Sequence, residues 1–443
     1  MRLSQIKEVV KETAKGFEWE LFFLRRKDLK ISTENGNFEK ITTAEDYAVA
    51  VRLLKDKKIG FSYTTQLDLS AIKKLVDHLK EITQRLKPDE GNVFKTSRDR
   101  ISVESPFDKN GVMLTIDEKI DKITSFERNL IKLHPYVAGT RETTFSEVIY
   151  EVEFANSFGV EFSYSGTFYS IVTSVLAQSP RGDKTVTWGY KESPYLLDLK
   201  LEELAKELTQ KAVDTLDPQP MESKTTPVLF HRSAFVQLLE EFSPLFSGES
   251  ALKKKTPLLG REGSQVAVEG FTLIDDGTLK GGVSTHPYDD EGVSQRRTVL
   301  IENGIYKGFY HSLSTAVKMG QEPTGNGFRE SISSPPQAAI SNLYLKPGEA
   351  DFEELVNTEE KVLVVYELMG LHTADSVSGD FSLGAVGVVY KNGKKVSAFR
   401  GVTVAGNFLD LIKDISHIGN DLTFYSNVGS PSVLVKNITV GGK

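Results

Sequence analysis

The sequence predicts an α+β protein of two domains, and three observations carry that prediction. At 443 residues the chain is longer than one hydrophobic core comfortably serves. Its first half alternates helical periodicity with strand-like runs, whereas its second half, after a single helix, reads almost wholly as short strands. Between them lies DPQPMESKTTP (217–227), a polar, proline-rich segment of the kind that separates domains. The expectation is an N-terminal domain over 1–220, an α/β unit with an antiparallel meander and helices. A C-terminal domain over 221–443 would then be a mostly antiparallel barrel or sandwich.

From Leu3 to Lys15, Ile6, Val9 and Val10 recur at helical spacing and Gly16 offers a stop. Strand-like runs follow at 19–25, 30–33, 47–54 and 57–63, separated by turns such as ENGN and KDKK. Residues 69–86 and 116–133 return to helical period, with a polar loop, KPDEGNVFKTSRDR, between them. Three more strand runs lie within 137–175, and 196–216 reads as a connecting helix. Beyond the helix near His231, strands are expected at 266–274, 295–301, 362–368, 385–390, 397–404 and 433–440. Asn303-Gly304 and Asn392-Gly393 stand where hairpin turns belong. The apolar runs PVLF and VLVKNITV, at the two ends of the second domain, are expected to share one sheet system.

Charge and composition remove several function classes. A net charge of −7, spread along the chain, offers no basic stripe for nucleic acid. The absence of cysteine excludes disulfides, thiolate metal sites and a cysteine nucleophile. The first helix is charged and lacks the apolar centre of a signal peptide, and no run is long enough to span a bilayer. A cytoplasmic soluble protein is the expectation.

The stretch VLFHRSAFVQLLEEF (228–242) puts a histidine at the mouth of an apolar helix, a common place for a first metal ligand. A second ligand four residues on would return to within about 40° of the same face. Position 235 is Phe, and position 236, which would need a widened turn, is Val. Beside His231 stands Arg232, a cation that repels metal and accepts no proton. Glu240 and Glu241 lie about 14 Å further along the axis, out of reach of the same ion. His231 is therefore expected to cap or pack, and no metal is assigned to this chain.

Other constellations have plainer readings. HPYDDEG brings His286, Asp289, Asp290 and Glu291 together, and reads as an acidic turn at a surface or subunit contact before it reads as a cation site. TGNGFRES (324–331) has glycine-freed amides but neither the strand before it nor the helix after it that a phosphate loop requires. Ser250 and Lys253 fit S-x-x-K without its companion motifs, and Lys253 to Lys255 read as a solvated face.

Six stretches of the second half resemble the TldD/PmbA family of metallopeptidase-related proteins, also called modulators of DNA gyrase. They are DDGT (275–278), DDEGVSQRRTVLIENGIYKGF (289–309), TGNGFRES (324–331), NLYLKPG (342–348), SGDFSLGA (378–385) and GNDL (419–422), in order across the domain. The first half resembles the family mainly in length and element order. The catalytic branch carries HExxxH on the helix where this chain has His231, Arg232 and Val236, and a cysteine near its C-terminus where this chain has none. The resemblance therefore implies the PmbA, or TldE, branch: a metal-free subunit that walls the chamber of a peptidase whose TldD-type partner holds the zinc. It implies that Gln295 and Arg296 line the chamber wall, and that Thr324, Gly325, Asn326, Gly327 and Arg329 shape a groove for peptide or unfolded polypeptide. The implied partner is a TldD-type subunit, with a homodimer when the chain is alone, and neither membrane nor direct nucleic-acid contact. An independent metallopeptidase or hydrolase, and a non-enzymatic regulator of DNA gyrase, are the rival expectations.

Overall fold

The structure, a computed structural model, describes residues 3–101 and 103–442; the outermost residues of the two expected domains, 1–2 and 443, lie outside them. Helix α1 (Leu3–Thr13) leads into a meander of β1 (Glu18–Glu34), β2 (Asn37–Lys55) and β3 (Lys58–Thr64). Asn35-Gly36 and Asp56-Lys57 all adopt positive φ, the backbone that a two-residue hairpin needs to match strand twist. Helix α2 (Leu69–Arg85), α3 (Lys109–Met113) and α4 (Ile116–Lys132) follow. Helix α4 starts on a capping box between Thr115 and Glu118. Then come β4 (Val137–Thr140), β5 (Thr143–Asn156), β6 (Glu161–Gln178), β7 (Lys184–Ser193) and α5 (Leu201–Asp214).

These seven strands form one open sheet ordered β3-β2-β1-β5-β6, with β4 and β7 both pairing β6. Ile6, Val10, Ile72, Val76 and Leu79 of α1 and α2 bury against Leu21, Phe23, Val49 and Val51. Further along, Ile123 and Phe126 of α4 and Leu204 and Leu208 of α5 cover Leu29, Ile31, Phe145 and Ile171. Phe22, Phe154 and Phe162 point to the other face, where they meet Tyr288 from the second half.

The second half opens with β8 (Lys224–Phe230) and α6 (Arg232–Phe242). Short strands follow: β9 (Leu273–Asp276), β10 (Arg297–Glu302), β11 (Ile305–Tyr306), β12 (Gly327–Phe328), β13 (Gln337–Ala338) and β14 (Leu343–Leu345). The remaining strands are β15 (Lys361–Met369), β16 (Asp380–Lys391), β17 (Lys394–Asn407), β18 (Ile415–Ile418), β19 (Thr423–Phe424), β20 (Val428–Ser430) and β21 (Val433–Gly441). Strand β8 pairs β15 in parallel, β15-β16-β17 run antiparallel, β17 pairs β21, and β21 returns to β8. The five strands close into a barrel, and PVLF and VLVKNITV are neighbours within it. Strands β11-β10-β9-β14-β20-β19 make a second sheet beside the barrel.

Helix α6 is embedded rather than amphipathic: Ala234, Phe235, Val236, Leu238, Leu239 and Phe242 are all buried in the C-terminal core. Truncating either Phe to Ala would cost about 3–5 kcal/mol. This anchoring fixes the N-terminal turn of α6 at the junction of barrel, α5 and β7. Among the described residues no helix is long and apolar enough to cross a membrane.

Candidate functional site

At the mouth of α6, β8 ends at Phe230 and His231 takes an extended conformation, with φ −56° and ψ 150°, that turns the chain into the helix. Its backbone N–H donates to the Val365 carbonyl at 3.0 Å. Its ring Nδ1 accepts from the Ser233 N–H at 3.3 Å, filling the role of an N-cap. The ring is buried against Tyr366, with centroids 5.5 Å apart. Burial, reinforced by the Lys211 charge, drives its pKa well below the ordinary value, so the imidazole is neutral at physiological pH.

Arg232 is not a packing residue alone. Its guanidinium donates to Glu207 of α5 at 2.8 Å and to Asp421 at 3.4 Å. Its backbone N–H donates to Ser432 Oγ at 3.0 Å, and Ser432 N–H in turn donates to Asp421 at 2.7 Å. Glu207 also accepts from Tyr425 Oη at 2.7 Å and from Lys211 Nζ. Burial pushes the Glu207 carboxyl up, but the charges of Lys211 and Arg232 outweigh it and hold it well below the carboxylate range. The result is a charge network that ties α5 to α6 and to the 419–432 segment. Beside it, Trp188, Tyr190, Lys211, Gln237 and Glu367 line a cavity of about 160 Å³.

A catalytic zinc needs three protein ligands about 2.0–2.3 Å away, plus an open position. Of the three positions His231, Arg232 and Val236, only His231 could donate. Val236 lies 1% exposed inside the apolar core, and the guanidinium of Arg232 fills the space between Glu207 and Asp421. Among the described residues no group of three or more His, Asp or Glu is arranged to hold a metal ion. The residues at α6 do not fit a catalytic metal.

The acidic turn departs from expectation. Asp289 and Glu291 are buried, not at a surface, because their partners come from the N-terminal sheet and from the TGNG loop. Arg52, in the middle of the apolar run AVAVRLL, binds Glu20 with two hydrogen bonds of 2.7 and 2.6 Å and reaches Glu291 at 3.3 Å. Asp289 accepts from the N–H groups of Glu291, Val293 and Gly327 at 3.0, 2.9 and 2.8 Å. Asp290 accepts from the Arg329 N–H at 2.7 Å. These bonds lock the turn to the loop, and Arg52 locks both to β1.

The groove candidates fall mostly inside this lock. Gly327 leaves room for Glu291, whose Oε2 would lie 2.2 Å from an added Cβ, and Gly325 has positive φ against the Ser294 carbonyl. Asn326 donates to Asp275 at 2.6 Å, while Thr324 bridges the His311 N–H and the Asn326 side chain. Gln295 is buried, its Oε1 accepting from the His286 N–H at 2.9 Å. Arg329 reaches Glu20 at 3.5 Å and lies over the Phe22 ring, and it also borders a cavity of about 420 Å³ with Tyr47 and Ile332. Arg296 is exposed. Sequence reasoning did not find Glu207, Asp421 and Tyr425, which no spacing links to Arg232. The lone Arg52 inside an apolar strand was the available signal for the second network.

Comparison with known proteins places this geometry. The PmbA/TldA metallopeptidase C-terminal domain matches residues 223–442, domain 1 of the same family matches 19–83, and its central domain matches 111–216. Metalloprotease PmbA of Escherichia coli O157:H7 is 25% identical over 94% of this chain and 90% of its own. A metalloprotease TldD homolog of Buchnera aphidicola is 26% identical over 93% of this chain and 90% of its own. A crystal structure from Thermotoga maritima, of a protein whose proposed role is modulation of DNA gyrase, superposes with a TM-score of 0.91. That alignment has 28% identity and covers 99% of this chain and all of the other.

Proposed function

Because the chain belongs to the PmbA/TldD family of metallopeptidases, we propose that it is the metal-free subunit of a cytoplasmic peptidase. In this reading it walls the chamber in which a TldD-type partner cleaves peptides or unfolded chains. Overall likeness does not choose between branches, since relatives named PmbA and TldD homolog are equally distant, at 25% and 26% identity. The observation that carries the reading is the α6 mouth. Where the catalytic branch has HExxxH, this chain has a cation already bound by Glu207 and Asp421, and a valine sealed in the core. A position that no longer holds a ligand is free to take part in packing, and Arg232 joins α5 to α6 in this way.

The test is reconstitution. The chain alone should carry no stoichiometric zinc and should leave an unfolded peptide intact. Mixed with an HExxxH-bearing homologue, it should form a stable hetero-oligomer that cleaves. About one zinc per chain, lost in His231→Ala, would sink the proposal in favour of an independent enzyme. Absence of any hetero-oligomer, with both chains folded, would favour the regulatory alternative.

A further inference from the structure

The cavity beside the α6 mouth contains a carboxylate that no group of the chain engages. Its walls come mainly from α5, α6, β7 and β15, joined by Tyr425. Apart from tyrosines, the ionisable residues of the lining are Glu207, Lys211 and Glu367. The first two are committed to the network already described. They contact each other, Lys211 Nζ donates to Ser233 Oγ at 2.8 Å, and Glu207 accepts from Arg232 and Tyr425. Glu367 is half-buried, and its side chain makes neither a hydrogen bond nor an ion pair among the described residues. Lys211 acts on it only through its field, and burial outweighs that field and raises the carboxyl above its ordinary value.

Two carboxylates against one lysine leave the lining with one negative charge in excess. Much of the remaining wall is apolar. Trp188 and Tyr190, two residues apart on β7, share a face of the strand, and Leu208 and Val386 complete the surround. Trp188 is 51% exposed, and among the described residues no ring or cation packs on its indole. Tyr425 shows what such a wall accepts, since Lys191 and Lys211 place ammonium groups 5.4 and 5.9 Å from its ring centroid. A free carboxylate beside an open indole is complementary to a further ammonium, held by charge at one end and by ring contact at the other. An anion, by contrast, would meet two acids and a lysine that Glu207 already holds. The volume of about 160 Å³ lies below the roughly 300–1,000 Å³ of pockets that take drug-sized ligands, so the body behind the charge must be small.

We propose that this cavity binds a primary ammonium carried on a short apolar body, with the charge at Glu367 and the body against Trp188 and Tyr190. A small free amine and a lysine side chain within a polypeptide share that chemistry. The site is independent of the peptidase reading, because it requires neither a metal nor a partner subunit.

The test uses the full chain in isothermal titration calorimetry, with benzylamine as the free amine and Nα-acetyl-lysine amide as the side chain of a polypeptide. At least one should bind with single-site saturation, and the tighter of the two identifies the source. Benzyl alcohol, which lacks the charge, and benzoate, which reverses it, should each bind at least about tenfold more weakly than the tighter amine. Glu367→Gln keeps the shape of the side chain and removes its charge, and should weaken the amine at least about tenfold. Trp188→Ala, at an exposed position, should weaken it severalfold, with circular dichroism confirming that both variants fold. Tryptophan emission gives a second reading, because the chain's other tryptophan, Trp19, is buried in the core under α1 and α2. The amine should shift the emission of the wild type and not that of Trp188→Ala. Absence of saturable binding by either amine, benzyl alcohol or benzoate binding as tightly as the amine, or unchanged affinity in either folded variant would each overturn the proposal.

Discussion

The two halves of the molecule handle strand edges in opposite ways. The N-terminal sheet is open, and its strands are largely contiguous in sequence, with β1, β2 and β3 a simple meander. The barrel has no edges among its five strands, but it closes only by joining β8, at the start of the second half, to β21 at the end. Short-range pairings let an open sheet form from local sequence, at the cost of exposed flanks. Closure protects every strand and makes each of them indispensable. The difference teaches where each half is vulnerable: the barrel at its last strand, the sheet at the contacts that hold it to the barrel.

The largest effect should come from breaking closure. A chain ending at Asn427 loses β20 and β21, and with them the partners of β8, β17 and β18. It should lose the cooperative transition of the C-terminal half, read by a calorimetric scan, while helical signal from α1, α2 and α4 survives. An unchanged melting temperature would show that closure does not matter as described here.

Next comes the clamp between the halves. Arg52→Met leaves Glu291 buried without its cation and Glu20 with only the longer contact to Arg329, and should cost about 3–5 kcal/mol in urea denaturation. Arg52→Met combined with Glu20→Leu should recover part of that loss, because a buried charge is then removed together with its partner. A loss below about 1 kcal/mol for the single change would mean the halves are held by apolar contact instead.

The smallest effect is a pH dependence that separates the second half from the first. Asp275 in β9 is buried, and burial raises its pKa to about 6 despite hydrogen bonds from Asn326 and Ser341. The folded state therefore holds its proton more tightly than the unfolded state, whose carboxyl titrates near 4. Stability contributed by this group is present below about pH 4 and falls as pH rises to about 6, then levels. Unfolding free energies measured from pH 4 to 7 should show wild type losing about 2 kcal/mol relative to Asp275→Asn across that window. A parallel pair of curves would place the carboxylate in a more solvated setting.

Periodicity and turn chemistry made much of the fold legible. The Asn-Gly pairs at 303–304 and 392–393 do adopt positive φ between paired strands, and the helices at 69–86 and 116–133 hold to within a residue. The failures have physical causes. Strand β1 reads as two pieces because LRRKDLK lies where the sheet is partly exposed, yet it runs unbroken from Glu18 to Glu34. Strand β7, KTVTWGYKES, is too polar and half-exposed to stand out. The run 266–274 is apolar because Val266, Ala267 and Phe271 fill the core as irregular chain, and only Leu273–Asp276 is strand. At the site, the loss of ligands is legible from Arg232 and Val236 alone, because it depends on residue type. What replaces the ligands is not, because Glu207 and Asp421 reach Arg232 only through the fold.

The closing strand also orders events in time. During synthesis the N-terminal sheet is complete once Ser193 has left the ribosome, and it can fold while the rest of the chain is still being made. Strand β8 emerges soon after, but its antiparallel partner β21 is translated only after every other strand of the barrel. For most of the elongation of the second half, β8 and the apolar helix behind it remain without the strand that completes them. Nascent chains of this protein should therefore draw chaperones through that interval, and the emergence of β21, more than any local step, sets the moment at which the barrel shuts.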